Sequence, residues 1–142
     1  MPIAEGGCHC GDVRYRVECE PVHTSLCHCN DCRRATGAPA VAWAMYPQTA
    51  LKITHGTPRK HVSSMGIERS FCGNCGTALF YLSDQLPGLV DITICSFDKP
   101  ESCPPSVHIW NRYRLTWFQD INKLPAFNEL PPREMGDGNG ET

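Results

Sequence analysis

Seven of the chain's ten cysteines fall into three tight clusters whose spacing suits metal binding. The clusters read Cys-His-Cys at residues 8–10, Cys-His-Cys-Asn-Asp-Cys at residues 27–32 and Cys-Gly-Asn-Cys at residues 72–75. A structural zinc ion takes four protein ligands, whereas a catalytic zinc ion takes three and keeps one position for water or substrate. Seven thiolates therefore suit one zinc site of each kind.

The first predicted site is structural and begins from Cys72 and Cys75. A gap of two residues lets both thiolates reach one metal, and Gly76 provides the positive φ that a tight turn needs. Cys8 and Cys10, on a second glycine-rich loop, offer the two further ligands. A four-thiolate site of this kind would close a loop of about sixty residues and stabilise a small domain. Redox-active or merely buried cysteines are the alternative.

The second predicted site is reactive and consists of Cys27, Cys29 and Cys32. Three thiolates within six residues occupy three corners of a tetrahedron, which leaves the fourth corner open. A zinc ion held in this way favours the deprotonated form of an incoming thiol, because the metal stabilises the thiolate. The predicted chemistry is activation of a thiol as a nucleophile.

Two alternatives for this second cluster stay open at the level of sequence. A histidine could complete a closed structural site, or two of the three cysteines could form a disulfide when metal is absent; the candidate histidines are His28, His61 and His108. We predict that the ring of His28 points away from the metal, because both of its neighbours are ligands. The other cysteines, interpreted as small apolar fillers, are Cys19, Cys95 and Cys103.

Short extended segments must position these clusters. Apolar and polar residues alternate over residues 12–19, which predicts a half-buried strand. Further strands are predicted at residues 40–46, 51–54, 59–63, 68–71, 77–82 and 89–95. Helix is limited to a turn or two at residues 31–35 and a piece near residues 117–122. We predict one mainly β domain over residues 1–130, and a disordered tail over residues 131–142.

Composition excludes several classes of function. The formal charge is -2 and the basic residues are scattered, which argues against nucleic-acid binding. No stretch approaches the ~18 apolar residues of a membrane span, and the first residues lack the pattern of a secretory signal. We therefore expect a cytosolic protein without membrane or nucleic-acid partners. In a reducing compartment, clustered cysteines bind metal more often than they form disulfides.

The cysteine motifs also have particular neighbours and a particular order. They read Gly-Cys-His-Cys-Gly at residues 7–11, Cys-His-Cys-Asn-Asp-Cys-Arg at residues 27–33 and Arg-Ser-Phe-Cys-Gly-Asn-Cys-Gly at residues 69–76. His-Ile-Trp follows at residues 108–110, then Trp117, and Leu-Pro-Ala-Phe closes the pattern at residues 124–127. Over residues 6–127 the chain resembles the glutathione-dependent formaldehyde-activating enzyme family, which also includes centromere protein V.

The resemblance implies a fold, a pairing of the clusters and an activity. The implied fold is a small, mostly antiparallel domain of the β-tent type, organised around two zinc sites. The implied ligands of the structural zinc are Cys8, Cys10, Cys72 and Cys75, and those of the functional zinc, which is the more labile, are Cys27, Cys29 and Cys32. The implied reaction joins glutathione and formaldehyde in S-hydroxymethylglutathione, or cleaves that adduct as a carbon-sulfur lyase.

The sequence thus favours a zinc-dependent lyase or synthase that acts on a small thiol adduct. Glutathione is the leading thiol, and Arg33 and Arg69 are candidate partners for its carboxylates. His28 is a candidate pocket residue and proton donor. The alternative is a zinc-stabilised binding or assembly module without turnover, which an exposed apolar patch would favour.

Overall fold

Ten short strands form most of the regular structure in residues 3–133, the part of the chain that the computed structural model describes. In chain order the strands are β1 (Ala4–Gly7), β2 (Arg14–Val17), β3 (His23–Cys27), β4 (Val41–Pro47), β5 (Leu51–His55), β6 (Arg59–Ser64), β7 (Ile67–Phe71), β8 (Ala78–Ser83), β9 (Leu89–Thr93) and β10 (His108–Ile109). One α-helix, α1 (Asn30–Thr36), follows β3. The remaining helical pieces are 3-10 turns, the longest at Thr116–Lys123.

The strands form two sheets. Strands β1, β2 and β5 make a three-stranded antiparallel sheet in that order. The other seven make a sheet of order β10-β3-β4-β9-β8-β7-β6. Every pairing in the larger sheet is antiparallel except that of β10 with β3, which is parallel. The chain therefore returns to its early strand β3 near its end.

Alternation along the strands gives the large sheet two different faces. On one face, side chains such as Tyr46, Phe80 and Ile92 are buried against Tyr15 and Val17 of the small sheet. The Tyr15 and Phe80 rings meet edge to face at 5.3 Å. Residues that alternate with these point to the opposite face, where the cysteines of β3 and α1 lie. Because successive side chains of a strand point to opposite faces, the core and the cysteine site lie on opposite sides of the sheet.

The prediction of a mainly β, largely antiparallel fold with little helix is confirmed. The helical predictions also correspond to α1 and to the 3-10 turn at Thr116–Lys123. Three strands were not predicted: β1, β3 and β10. Cys95 is exposed in a 3-10 turn, so its interpretation as an apolar filler is wrong, whereas Cys19 and Cys103 pack partly buried against the core.

Two further expectations concern the whole chain. Within residues 3–133, no helix has the length and apolar content that crossing a membrane would require. The boundary at residue 130 stays a prediction, and most of the predicted disordered tail, residues 134–142, lies outside the described residues.

Candidate metal centres and the adjoining cavity

Two hairpin loops bring four cysteines together between the sheets. Cys8 and Cys10 lie in the loop between β1 and β2, and Cys72 and Cys75 lie in the loop between β7 and β8. Each loop turns on a glycine with positive φ, Gly11 at 87° and Gly76 at 84°. The amide of Gly11 donates to Cys8 O and that of Gly76 to Cys72 O. Similar local chemistry therefore builds both halves of the cluster.

The geometry of this cluster suits a tetrahedral metal ion. All four sulfur atoms lie within 4.8 Å of one another, with 3.6 Å between the Sγ atoms of Cys8 and Cys10 and 3.8 Å between those of Cys10 and Cys72. Zinc-sulfur bonds of about 2.3 Å in a tetrahedron place sulfur atoms ~3.8 Å apart. Amides of Val13 and Asn74 donate to the sulfurs of Cys8 and Cys72. This cluster could therefore hold one metal ion with four thiolates.

The second cluster lies at the end of β3 and the start of α1. The Sγ atoms of Cys27, Cys29 and Cys32 also lie within 4.8 Å of one another. Cys29 is the N-cap of α1, because its Sγ accepts a hydrogen bond of 3.2 Å from the amide of Cys32. Within residues 3–133, no histidine nitrogen or carboxylate oxygen joins these three sulfurs. The cluster could therefore hold a metal ion with three protein ligands.

The three thiols of this cluster differ in pKa. A hydrogen bond from Cys27, assisted by one from Cys29 and by the positive charge of Arg69, lowers the pKa of Cys32 to about 5 despite burial. The same hydrogen bond, together with burial, raises the pKa of Cys27. The two guanidinium nitrogens Nη1 and Nη2 of Arg69 each lie 3.9 Å from the Sγ of Cys32. Cys32 is therefore the thiol that ionises first, and binding of a metal ion would release the protons of the other two thiols.

A cavity of about 750 Å³ opens beside this second cluster. Its floor is a row of residues paired across five strands of the large sheet, in the order His23, Met45, Asp91, Tyr81 and Arg69. Paired residues share a face, so the register alone aims these side chains into the cavity. The three cysteines lie along one side of the same cavity.

The walls of the cavity are largely apolar and aromatic. Trp43 is buried, and its ring centre lies 5.8 Å from that of Tyr81. Ile109 of β10 also lines the cavity, as do Trp110 and Tyr113 of the segment that follows. Trp110 has a φ of 53°, the single positive value among non-glycine residues of the described chain. A thiol cluster thus borders a space that is large enough for an organic ligand.

Asp91 is the carboxyl group at the centre of the cavity floor. It lies in β9 between Met45 and Tyr81, with apolar residues on either side along the strand. Burial raises its pKa to about 6, and the negative charge of Cys32 adds to this while His23 opposes it. The carboxyl group therefore changes protonation near neutral pH.

Replacement of Asp91 by asparagine is expected to stabilise the folded protein at pH 7.5 by about 1 to 3 kcal/mol. The unfolded carboxyl ionises near pH 3.8 and the folded one near pH 6, so the wild type loses stability as pH rises through this window. Urea unfolding of both proteins at pH 7.5 and pH 5 measures the difference, which should shrink at pH 5. The exposed Asp84→Asn serves as the control; equal stability of wild type and Asp91→Asn at pH 7.5 contradicts the expectation.

The three predicted pocket residues have different surroundings. Arg69 lines the cavity, with its guanidinium 5.0 Å from the ring centre of Tyr81 and its Nε donating to Ser63 Oγ. Arg33 does not line the cavity and donates instead to Asn30. His28 is fully buried outside the cavity, where its Nε2 lies 2.8 Å from Nδ1 of His108 and its ring contacts Phe118. Of the three, the structure brings only Arg69 to the thiol cluster.

Sequence reasoning missed two residues that dominate the cavity. Asp91 could have been found, because burial of a carboxyl group is costly and an acidic residue in the middle of the apolar run Leu-Val-Asp-Ile-Thr therefore indicates a functional role. Trp110 is part of the motif at residues 108–110, but its place in the cavity could not be predicted, because its backbone conformation and the return of its segment to β3 depend on distant residues.

Comparison with known proteins identifies a matching family and two similar proteins. Residues 3–113 match the model of the family described as glutathione-dependent formaldehyde-activating enzyme. A Halomonas elongata protein, provisionally named glutathione-dependent formaldehyde-activating enzyme, is 29% identical over 126 residues, which are 82% of this chain and 80% of that protein. An uncharacterized lyase of Schizosaccharomyces pombe is 31% identical over 116 residues, which are 71% of this chain and 84% of that protein.

A solved structure shares the fold. A Rhodobacter sphaeroides protein superposes with a TM-score of 0.60 at 21% identity, covering 73% of this chain and 98% of the other. At this level of identity the likeness concerns the arrangement of the strands and not the chemistry of the site.

Proposed function

Since the chain belongs to the glutathione-dependent formaldehyde-activating enzyme family, we propose that it is a zinc-dependent carbon-sulfur lyase or synthase. Its proposed substrate is a small thiol adduct of the S-hydroxymethylglutathione type, made from glutathione and formaldehyde or another small carbonyl. One observation carries the proposal: three convergent thiols border a cavity of ligand size. A purely structural metal site would need no adjoining cavity.

We propose that two zinc ions bind each chain. The structural ion would be held by the four-cysteine cluster, and the functional, more labile ion by Cys27, Cys29 and Cys32. The all-sulfur donor sets and their spacing suit zinc. When bound, the functional ion supplies stabilisation of a substrate thiolate, which makes a nucleophile available at neutral pH.

The reaction is an addition without redox change. The substrate sulfur forms a bond to the carbonyl carbon, the thiol proton leaves, and the carbonyl oxygen gains a proton to become a hydroxyl group. The reverse reaction breaks the same carbon-sulfur bond. Arg69 is proposed to favour an anionic sulfur next to Cys32, because its guanidinium lies beside that thiol. It is also the arginine that a glutathione carboxylate could reach from within the cavity.

Asp91 is the proposed proton carrier for the carbonyl oxygen. It lines the same cavity as the three cysteines, and its pKa of about 6 lets it give up or accept a proton near neutrality. Tyr81 beside it has its pKa raised by burial, so that the phenol stays protonated and able to donate a hydrogen bond. His28, the earlier candidate, lies outside the cavity.

The cytosol is the proposed location. The two clusters offer seven thiols that bind metal only when reduced, and a reducing compartment keeps them in that state. Glutathione is abundant in the same kind of compartment, where it sets the thiol balance.

The proposal is tested by the rate at which glutathione and formaldehyde exchange with their adduct. Nuclear magnetic resonance exchange measurements on zinc-loaded protein should show a rate that rises in proportion to protein concentration. Protein whose metal has been removed by a chelator serves as the control. Exchange at the uncatalysed rate, with two zinc ions bound per chain, would argue against the proposal.

A second candidate function is a zinc-stabilised binding module, and one observation favours it. Large apolar side chains are exposed along residues 107–130, among them Trp117, Leu124 and Phe127. Stable binding of both zinc ions without turnover of any thiol adduct would move the assignment to this function.

A further inference from the structure

We propose that the carbonyl partner of this enzyme carries an aromatic or branched apolar group and is larger than formaldehyde. The inference rests on the proposed function and extends it to the class of the second substrate. Its basis is the apolar wall of the cavity, which a carbonyl compound of two heavy atoms would leave in contact with water.

The size and the composition of the cavity lead to the same conclusion. About 750 Å³ is within the range of pockets that enclose drug-sized molecules. Trp43, Ile67 and Leu86 supply apolar wall, and Met45 adds an apolar side chain to the floor. Glutathione has amide or charged groups along most of its length and therefore offers little apolar surface to cover these side chains. The apolar wall is therefore left for the carbonyl partner.

The charged groups of the cavity are few and mostly engaged. Arg69 already contacts Ser63, Tyr81 and Cys32, and the carboxyl groups of Asp31 and Asp91 oppose further negative charge on a ligand. The cavity therefore suits one anionic thiol compound better than two anionic substrates. The charges therefore disfavour a carbonyl partner that carries its own carboxylate and favour an uncharged aldehyde.

The mouth of the cavity has an unusual aromatic pair. Trp110 and Tyr113 line it with their ring centres 6.3 Å apart, yet 57% of Trp110 and 41% of Tyr113 stay exposed. Trp110 also holds a left-handed backbone conformation, which is strained for a large residue. Two exposed rings held in place at a cavity mouth provide a surface on which a flat apolar group can stack.

The test compares aldehydes of similar reactivity but different size. For glutathione with acetaldehyde and with phenylacetaldehyde, kcat/KM is measured by magnetic resonance exchange and divided by the uncatalysed rate constant. Burial of a phenyl ring predicts a preference of about 10- to 100-fold for phenylacetaldehyde. Trp110→Ala should reduce this preference at least several-fold. Trp117→Ala, which removes an equally exposed indole outside the cavity, should leave it unchanged.

A binding measurement separates this inference from the proposed function. By calorimetry, S-benzylglutathione should bind more tightly than S-methylglutathione, and Trp110→Ala should remove most of the difference. Turnover of formaldehyde with no preference for phenylacetaldehyde overturns the inference and leaves the proposed function intact. Equal binding of the two thioethers overturns it as well. A preference for the benzyl compound without any turnover supports the apolar subsite and overturns the lyase assignment.

Discussion

Serine in place of Cys29 is expected to lower kcat/KM for adduct formation by about 10²- to 10⁴-fold, which is the scale of a lost metal catalyst. Zinc content should fall from two ions per chain to one. Cys29 is the best of the three cysteines for this test because it is only half-buried and its sulfur caps α1. Serine is a good N-cap, so the helix should keep its start.

The measurement combines exchange rates, zinc content and thermal unfolding of the Cys29→Ser variant. Cys95→Ser is the matched control, because Cys95 is exposed and lies outside both clusters. Its activity and zinc content should equal those of the wild type. Full activity of Cys29→Ser with a single zinc ion bound would show that the three-cysteine cluster is not the reactive site.

The second large effect concerns stability. Serine in place of Cys10 is expected to cost about 3 to 5 kcal/mol of folding free energy, or ~10 to 20 °C in Tm, because a structural zinc ion contributes its binding energy to folding. Cys10 is exposed, so its replacement removes no apolar packing. Asn74 donates an exposed hydrogen bond to its sulfur, which is worth much less than this, so a loss of this size has to arise through the metal. The four-cysteine cluster joins a loop of the small sheet to a loop of the large one, which is why we expect the whole fold to respond.

Thermal unfolding with and without a chelator checks this expectation. The chelator should bring the wild type close to Cys10→Ser, and should change Cys10→Ser much less. Exposed Cys95→Ser again provides the baseline. Identical Tm values for wild type and Cys10→Ser in the presence of zinc would mean that the four thiols do not hold a structural ion.

Much of the fold could be predicted from local pattern. Tyr15 and Val17, which are buried, alternate with half-buried arginines, so β2 can be predicted from the sequence. Strand β1 is not, because Ala-Glu-Gly-Gly has neither β-propensity nor an apolar face. Strand β10 is equally hidden, since its two residues are held by a parallel pairing with residues that lie far away in sequence. Propensity cannot report a strand whose stability comes from long-range contacts.

The candidate site, like the fold, could be predicted only in part. Cysteine spacing is a local property of the sequence, and in the folded chain the cysteines of each predicted cluster do lie close to one another. Which arginine faces the cysteines depends on register across several strands: Arg69 is paired with Tyr81 and faces the cavity, whereas Arg33 on α1 bonds to Asn30. By sequence both arginines were equally good candidates for the cavity, because each lies close to a cysteine motif. The sheet register, which sequence does not reveal, distinguishes them.

The late return of the chain to β3 has a consequence for biosynthesis. Ile109 packs against the cluster that includes Cys27 and Cys32, although it is added about 80 residues after them. At ~5 to 20 residues per second, the ribosome needs roughly four to sixteen seconds to add Ile109 after these cysteines. During that interval the nascent thiols are accessible to oxidants. Reducing surroundings therefore matter more while the protein is being made than after it has folded.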